Sequence, residues 1–209
     1  MRPAISTPDY AAFLAALKER ILHARTSAAR AVNRDLVLLY WDIGQGIVEK
    51  QQAAGWGDAV VERLAADLRA EFPDMRGFSV ANLWRMKQLY LEHTSPDFLA
   101  QAVREMKAGG TGSDQLAQAV RELASAIPWG HHVFLLGRLN DPGARFYYLC
   151  ATTQFGWSRS VLLNQIKAGA YERAVKGRLK ARLPAEFKGR LPTARLLASA
   201  VREALPTRK

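Results

Sequence analysis

Two groups of side chains in this sequence have the chemistry to meet a polyanion. Asn82, Arg85 and Lys87 follow Ser79 on one helix; Arg159, Asn164 and Lys167 follow Ser158 on another. Arginine and asparagine can pair two hydrogen-bonding groups with one base edge, which gives them sequence-reading capacity. A further set, Arg76, Arg145, Arg173, Lys176, Arg178 and Lys180, supplies charges suited to phosphate oxygens. Taken singly, each of these is also an ordinary solvated charge on an amphipathic helix. The basic set near the C-terminal end, taken as a group, argues for binding.

Catalytic chemistry is harder to assemble. His131 and His132 are adjacent, so on a helix they point about 100° apart and cannot chelate one ion together. His23 and His93 have no ligand partner at helical spacing, and all four histidines read as structural or surface groups. Cys150 is the only cysteine, which excludes an internal disulfide or a zinc–cysteine cluster. No glycine-rich phosphate loop and no G-x-S-x-G turn occurs. Glu186-Phe187-Lys188 matches the E-x-K half of a PD-(D/E)xK nuclease site, where carboxylates hold a divalent ion. That site needs neighbouring strands; Pro184 and Pro192 instead suggest an extended connector. No catalytic residue, metal or cofactor is therefore assigned.

The elements that would carry the binding groups show themselves twice. Gly77-Phe78-Ser79-Val80-Ala81-Asn82-Leu83 and Gly156-Trp157-Ser158-Arg159-Ser160-Val161-Leu162 each hold a glycine, an aromatic, a capping serine and a leucine four residues later. Each follows an apolar helical stretch. That is the outline of a helix-turn-helix, whose second helix enters the major groove. Upstream of each, Trp56-Gly57-x-x-Val60 and Trp129-Gly130-x-x-Val133 repeat one more pattern, consistent with duplication of a three-helix unit.

Helix signals extend along the chain. Thr7-Pro8-Asp9 is a helix start. From it runs a stripe at spacings of three and four: Leu14, Leu17, Ile21, Ala24, Ala28, Val32, Leu36, Leu39, Ile43 and Ile47. A stripe of this length predicts a helical hairpin or one long helix that needs a partner, either within the chain or from a second copy. Further helices are expected over 58–72, from Ser79 through Tyr90, over 131–139, over 144–155 and from Ser158 to about Ala170. Residues 98–126 read as an insertion. Leu99-Ala100-Gln101-Ala102-Val103-Arg104-Glu105 recurs unchanged as Leu116 to Glu122, with a glycine-rich linker, 109–113, between the copies. Trp41, Trp56, Trp129 and Trp157 sit where core packing is expected; Trp84 is open between core and surface.

Charge divides the chain. Residues 1–127 hold 15 Lys/Arg and 15 Asp/Glu, whereas residues 128–209 hold 15 against 4, so the whole +11 lies in the second part. A basic tail attracts polyanions without reading sequence. No run of 18 apolar residues and no signal peptide is apparent, so the expectation is a cytoplasmic protein without a membrane span.

Several blocks together resemble the N-terminal domain of YhcG-like proteins. They are Ala31-Val32-Asn33-Arg34-Asp35-Leu36, Tyr40-Trp41-Asp42-Ile43-Gly44, Gly55-Trp56-Gly57 and Phe72-Pro73-Asp74-Met75-Arg76-Gly77-Phe78-Ser79, followed by Pro128-Trp129-Gly130-His131, Arg145-Phe146-Tyr147, Gly156-Trp157-Ser158-Arg159 and Tyr171-Glu172-Arg173. The resemblance spans about residues 20–173. It implies a helical DNA-binding domain that in the family precedes a PD-(D/E)xK nuclease domain. Phe187 and Leu191-Pro192 are similar to the family's connector, but the Lys-Asp-Pro-Tyr continuation is missing.

The expected architecture is mostly α: a long N-terminal helical region, then two helix-turn-helix-like units, with residues 1–173 as one domain and 174–209 as a basic connector or tail. The expected function is DNA binding or targeting without a nuclease active site. The alternative is a protein-interaction module that docks a nuclease subunit. Expected partners are DNA of unspecified form and a second copy of the chain along the N-terminal stripe.

Overall fold

The computed structural model describes residues 7–55, 57–106 and 112–179, which form nine helices and no strand. Trp56, Lys180, the linker residues 109–111 and the Glu186–Lys188 triplet lie outside the described residues.

Helix α1 (Thr7–Ala54) is one unbroken helix of 48 residues, the long-helix alternative rather than the hairpin. At 1.5 Å per residue it is about 72 Å long. Only its second half enters the body. The buried face there is Val37, Tyr40, Trp41, Gly44, Ile47 and Val48. This corrects the expected inward stripe: Leu39 is 42% exposed and Ile43 half-buried. The reason is Gly44. Helix α3 (Val80–His93) passes so close that a Cβ on Gly44 would lie 2.2 Å from the Met86 carbonyl oxygen. The glycine side of α1 turns into the core because only that side lets two backbones meet, and the Leu39–Ile43 side turns outward.

Helix α2 (Ala59–Glu71) completes this first cluster with Val61 and Ala65, beside Phe78, Leu83 and Met86. The second cluster is built by α4 (Pro96–Met106), α5 (Ser113–Ser125), α6 (Trp129–Leu136), α7 (Pro142–Phe155), α8 (Arg159–Lys167) and the start of α9 (Ala170–Leu179), with Trp41 of α1 and Leu89 of α3. Trp129 packs against both clusters. Each fully buried leucine or phenylalanine here contributes about 1.5–3 kcal/mol relative to exposure.

The segment read as an insertion is seated in the core. Phe98 and Ala102 of α4, and Leu116, Val120, Leu123 and Ala124 of α5, belong to the second cluster. The two identical heptapeptides bury different faces: Val120 is fully buried, while its counterpart Val103 is exposed. Neighbours, not local sequence, set each face. Two ion pairs fasten α5 to α1, Arg34 to Glu122 at 2.8 Å and Arg121 to Asp42 at 2.7 Å.

Candidate nucleic-acid interface

The two serine-capped helices form as their sequences predict. The Ser79 hydroxyl accepts from the Asn82 amide at the start of α3, and the Ser158 hydroxyl accepts from the Val161 amide at the start of α8, both at 3.3 Å. Such caps satisfy backbone donors that the helix cannot. Gly156 ends α7 in the left-handed conformation, φ 62°, with its amide donating to the Thr152 carbonyl. Gly77 has φ 126° and lies against the Tyr40 hydroxyl, where a Cβ would be 2.2 Å from the oxygen. No L-residue side chain fits there, so the turn before α3 depends on that glycine.

Each capped helix has one face in the core and one outward. On α3, Leu83, Met86 and Leu89 are buried, while Arg85 and Gln88 are exposed. Lys87 is half-buried, its ammonium 4.9 Å from the Trp84 ring centroid, a cation–π contact. On α8, Leu162 is buried and Arg159, Asn164 and Lys167 are exposed. Arg76 in the turn before α3 and Arg173 on α9 are exposed too. Arg76, Arg85, Arg159, Lys167 and Arg173 make no ion pair among the described residues. Lys176 and Arg178 are on α9, with side chains outside what the structure describes, and Lys180 lies beyond the described residues altogether.

Two of the expected contact residues are instead internal. Arg145 is 2% exposed; its guanidinium donates to Glu92 at 2.5 Å and to the Leu139 carbonyl at 2.7 Å. It joins α7 to α3 and cannot reach a phosphate. Asn82 is buried: its amide nitrogen donates to the Gly77 carbonyl at 2.6 Å, and its side-chain oxygen accepts from the Trp129 indole at 2.9 Å. It closes the turn and fastens it to α6, so no base edge can use it. Neither role was visible locally, because the partners are 53 and 47 residues away.

The histidines are structural where buried. The His93 Nδ1 and Leu89 carbonyl are 2.9 Å apart, the His132 Nε2 and Ala124 carbonyl 2.8 Å, and the two rings 5.7 Å apart between centroids. Burial is the main cause that lowers the His93 pKa to about 3, helped by the His132 and Arg145 charges and opposed by the Leu89 contact. Burial likewise lowers His132 to about 4. The first stays neutral beside the second at ordinary pH. Among the described residues no group of three His, Cys, Asp or Glu side chains is placed to hold a metal, and no helix is long and apolar enough to cross a membrane.

A feature the sequence did not announce lies beside the buried face of α1, on its Leu39–Ile43 side. Leu39, Ile43 and Ile47 of α1 face Leu64 and Leu68 of α2 across an open groove of about 460 Å³, closed at one end by Phe72, Met75 and Phe78. Gly44 was the signal for it: a glycine amid Tyr40, Trp41 and Ile47 marks the buried side, which leaves Leu39 and Ile43 outside.

The chain belongs to the DUF1016 N-terminal domain family, whose model matches residues 16–173. This agrees with the resemblance to the N-terminal domain of YhcG-like proteins. No curated protein and no solved structure matches the chain.

Proposed function

We propose that this chain is a DNA-binding, targeting module of the YhcG-like lineage that binds DNA rather than cleaving it. One observation carries the proposal: both helices that follow a capping serine bury their leucine and turn unpaired cations to solvent, Arg85 on α3 and Arg159 with Lys167 on α8. On this view α2–α3 and α7–α8 act as helix-turn-helix units, with Arg85, Arg159 and Asn164 toward base edges and Arg76, Lys87, Lys167 and Arg173 toward phosphates. The excess of 15 cations over 4 acids in residues 128–209 adds a sequence-independent attraction.

The test is fluorescence anisotropy of labelled duplex, branched and single-stranded DNA across a salt series, with Mg²⁺ cleavage assayed in parallel. Binding should weaken steeply with salt, and Arg85→Ala with Arg159→Ala should weaken it further for the preferred DNA form. Absence of binding at low salt, or Mg²⁺-dependent cleavage by the pure chain that EDTA abolishes, would overturn the proposal. A second function, docking of a protein partner such as a separate nuclease subunit, is favoured by the apolar groove beside α1 and predicts association with little salt dependence.

A further inference from the structure

Beyond nucleic acid, the first half of α1 calls for an occupant of its own. From Tyr10 to Val32 this helix carries no buried residue, yet Tyr10, Phe13, Ile21, Leu22 and Val32 are large, apolar and more than half exposed. An isolated helix gains little stability from propensity and needs an apolar face covered. The outward stripe of this projecting half runs along the same face of α1 as Leu39 and Ile43, so it leads directly into the groove.

We propose that a second copy of the chain covers it: two α1 helices pack antiparallel, the projecting half of each lying in the groove of the other. Three features point to a copy rather than to another partner. First, the stripe is close to palindromic about residue 30. Antiparallel pairing there matches Leu17 with Ile43 and Ile21 with Leu39. Second, sizes alternate at the centre, where Ala24 meets Leu36 and Ala28 meets Val32, so small residues face large ones. Third, the charges are complementary. Residues 10–33 hold Lys18, Arg20, Arg25 and Arg30 against Glu19, a net +3. Residues 58–74, which form the groove's other wall and its end, hold five acids against Arg63 and Arg69, a net −3. Pairing brings the partner's Lys18, one turn from Ile21 and next to Leu17 on the flank of the stripe, beside the Asp67 and Glu71 side of α2. A two-fold axis makes both contacts at once, as an isologous interface requires.

The test uses the full chain in sedimentation equilibrium over a wide concentration range. The expected mass is about twice the 23.2 kDa of one chain. Ile21→Glu and Leu39→Glu change exposed positions, 56% and 42%, so the fold, checked by circular dichroism, should persist. Each should weaken dimerisation roughly tenfold or more, as expected for an interface anchor. Lys18→Glu should weaken it as well, and adding Asp67→Lys with Glu71→Lys should restore it. A covalent readout is independent of these. Positions 21 and 39 are 18 residues apart on one helix, about 27 Å, and cannot bond within a chain. The Ile21→Cys, Leu39→Cys chain should therefore oxidise to a disulfide-linked dimer while neither single variant does. Cys150 does not compete, because burial pushes its thiol pKa up to about 12. A chain that stays monomeric at the highest attainable concentration overturns the proposal. So does one that dimerises only after residues 180–209 are removed, since the groove would then belong to the chain's own tail. Dimers indifferent to Ile21→Glu and Leu39→Glu overturn it too.

Discussion

Acid should unfold this protein through two buried rings. His93 and His132 each pair one ring nitrogen with a carbonyl, while His93 Nε2 and His132 Nδ1 are buried without a partner. Protonation would bury an N–H⁺ with no acceptor, and burial above all, with the neighbouring His132 and Arg145 charges at His93 and the His131 charge at His132, lowers their pKa values to about 3 and about 4. In the unfolded chain both titrate near 6.5. Between that value and the folded ones, the unfolded state binds more protons than the native state, so stability falls as pH drops. The loss begins near pH 6.5 and continues until the native rings themselves titrate. At pH 5, each ring is about 1.5 pH units below its unfolded pKa, which costs about 2 kcal/mol, so the pair costs about 4 kcal/mol. That is a large part of the roughly 5–15 kcal/mol that holds a domain together.

The assay is urea unfolding followed by circular dichroism at several pH values between 8 and 4. The comparison is a double variant, His93→Asn with His132→Gln, whose amide nitrogens can take over the donor to Leu89 and to Ala124 but cannot be protonated. The variant should be less stable at pH 8, yet lose about 4 kcal/mol less than the wild type on going to pH 5. Parallel pH profiles for the two proteins would refute the assignment of acid sensitivity to these rings.

Three further outcomes follow from the packing. Gly44→Ala puts a methyl 2.2 Å from a backbone oxygen that no rotamer change can move, and should cost about 3 kcal/mol or more in urea unfolding. Arg145→Met leaves the Leu139 carbonyl without its donor and returns the part-exposed Glu92 to water, and should cost about 1–3 kcal/mol, while the folded protein keeps its DNA affinity in anisotropy, as a phosphate-binding residue would not. Trp129→Phe leaves the Asn82 side-chain oxygen unpaired and should lower stability by about 1–3 kcal/mol, seen as an earlier urea midpoint.

What could be read from the sequence was mostly what is decided locally. Ser79, Ser158 and Gly156 mark helix ends because caps and left-handed turns involve neighbours a few residues apart. The aromatic stretch of α7 is legible as a helix, since nothing breaks it between Ala144 and Phe155. The face that α1 buries was not legible from apolar spacing alone, because it is chosen by the close approach of α3 at Gly44. Nor was the place of α4 and α5 in the core, where one repeated heptapeptide takes two orientations. In the candidate interface, Arg85, Arg159, Asn164 and Lys167 stand on the surface as spacing suggested. Arg145 and Asn82 do not, since their partners come from distant segments and composition cannot announce them.

Trp129 has one more consequence. Its ring meets Tyr40 edge-on, with centroids 4.9 Å apart, on the side of the first cluster, and lies 6.3 Å from His132 on the side of the second. A side chain shared in this way makes the two clusters thermodynamically interdependent: neither can melt without stripping the other of an aromatic wall. The two clusters thus share one indole, and Asn82, which accepts its N–H, ties the start of α3 to α6.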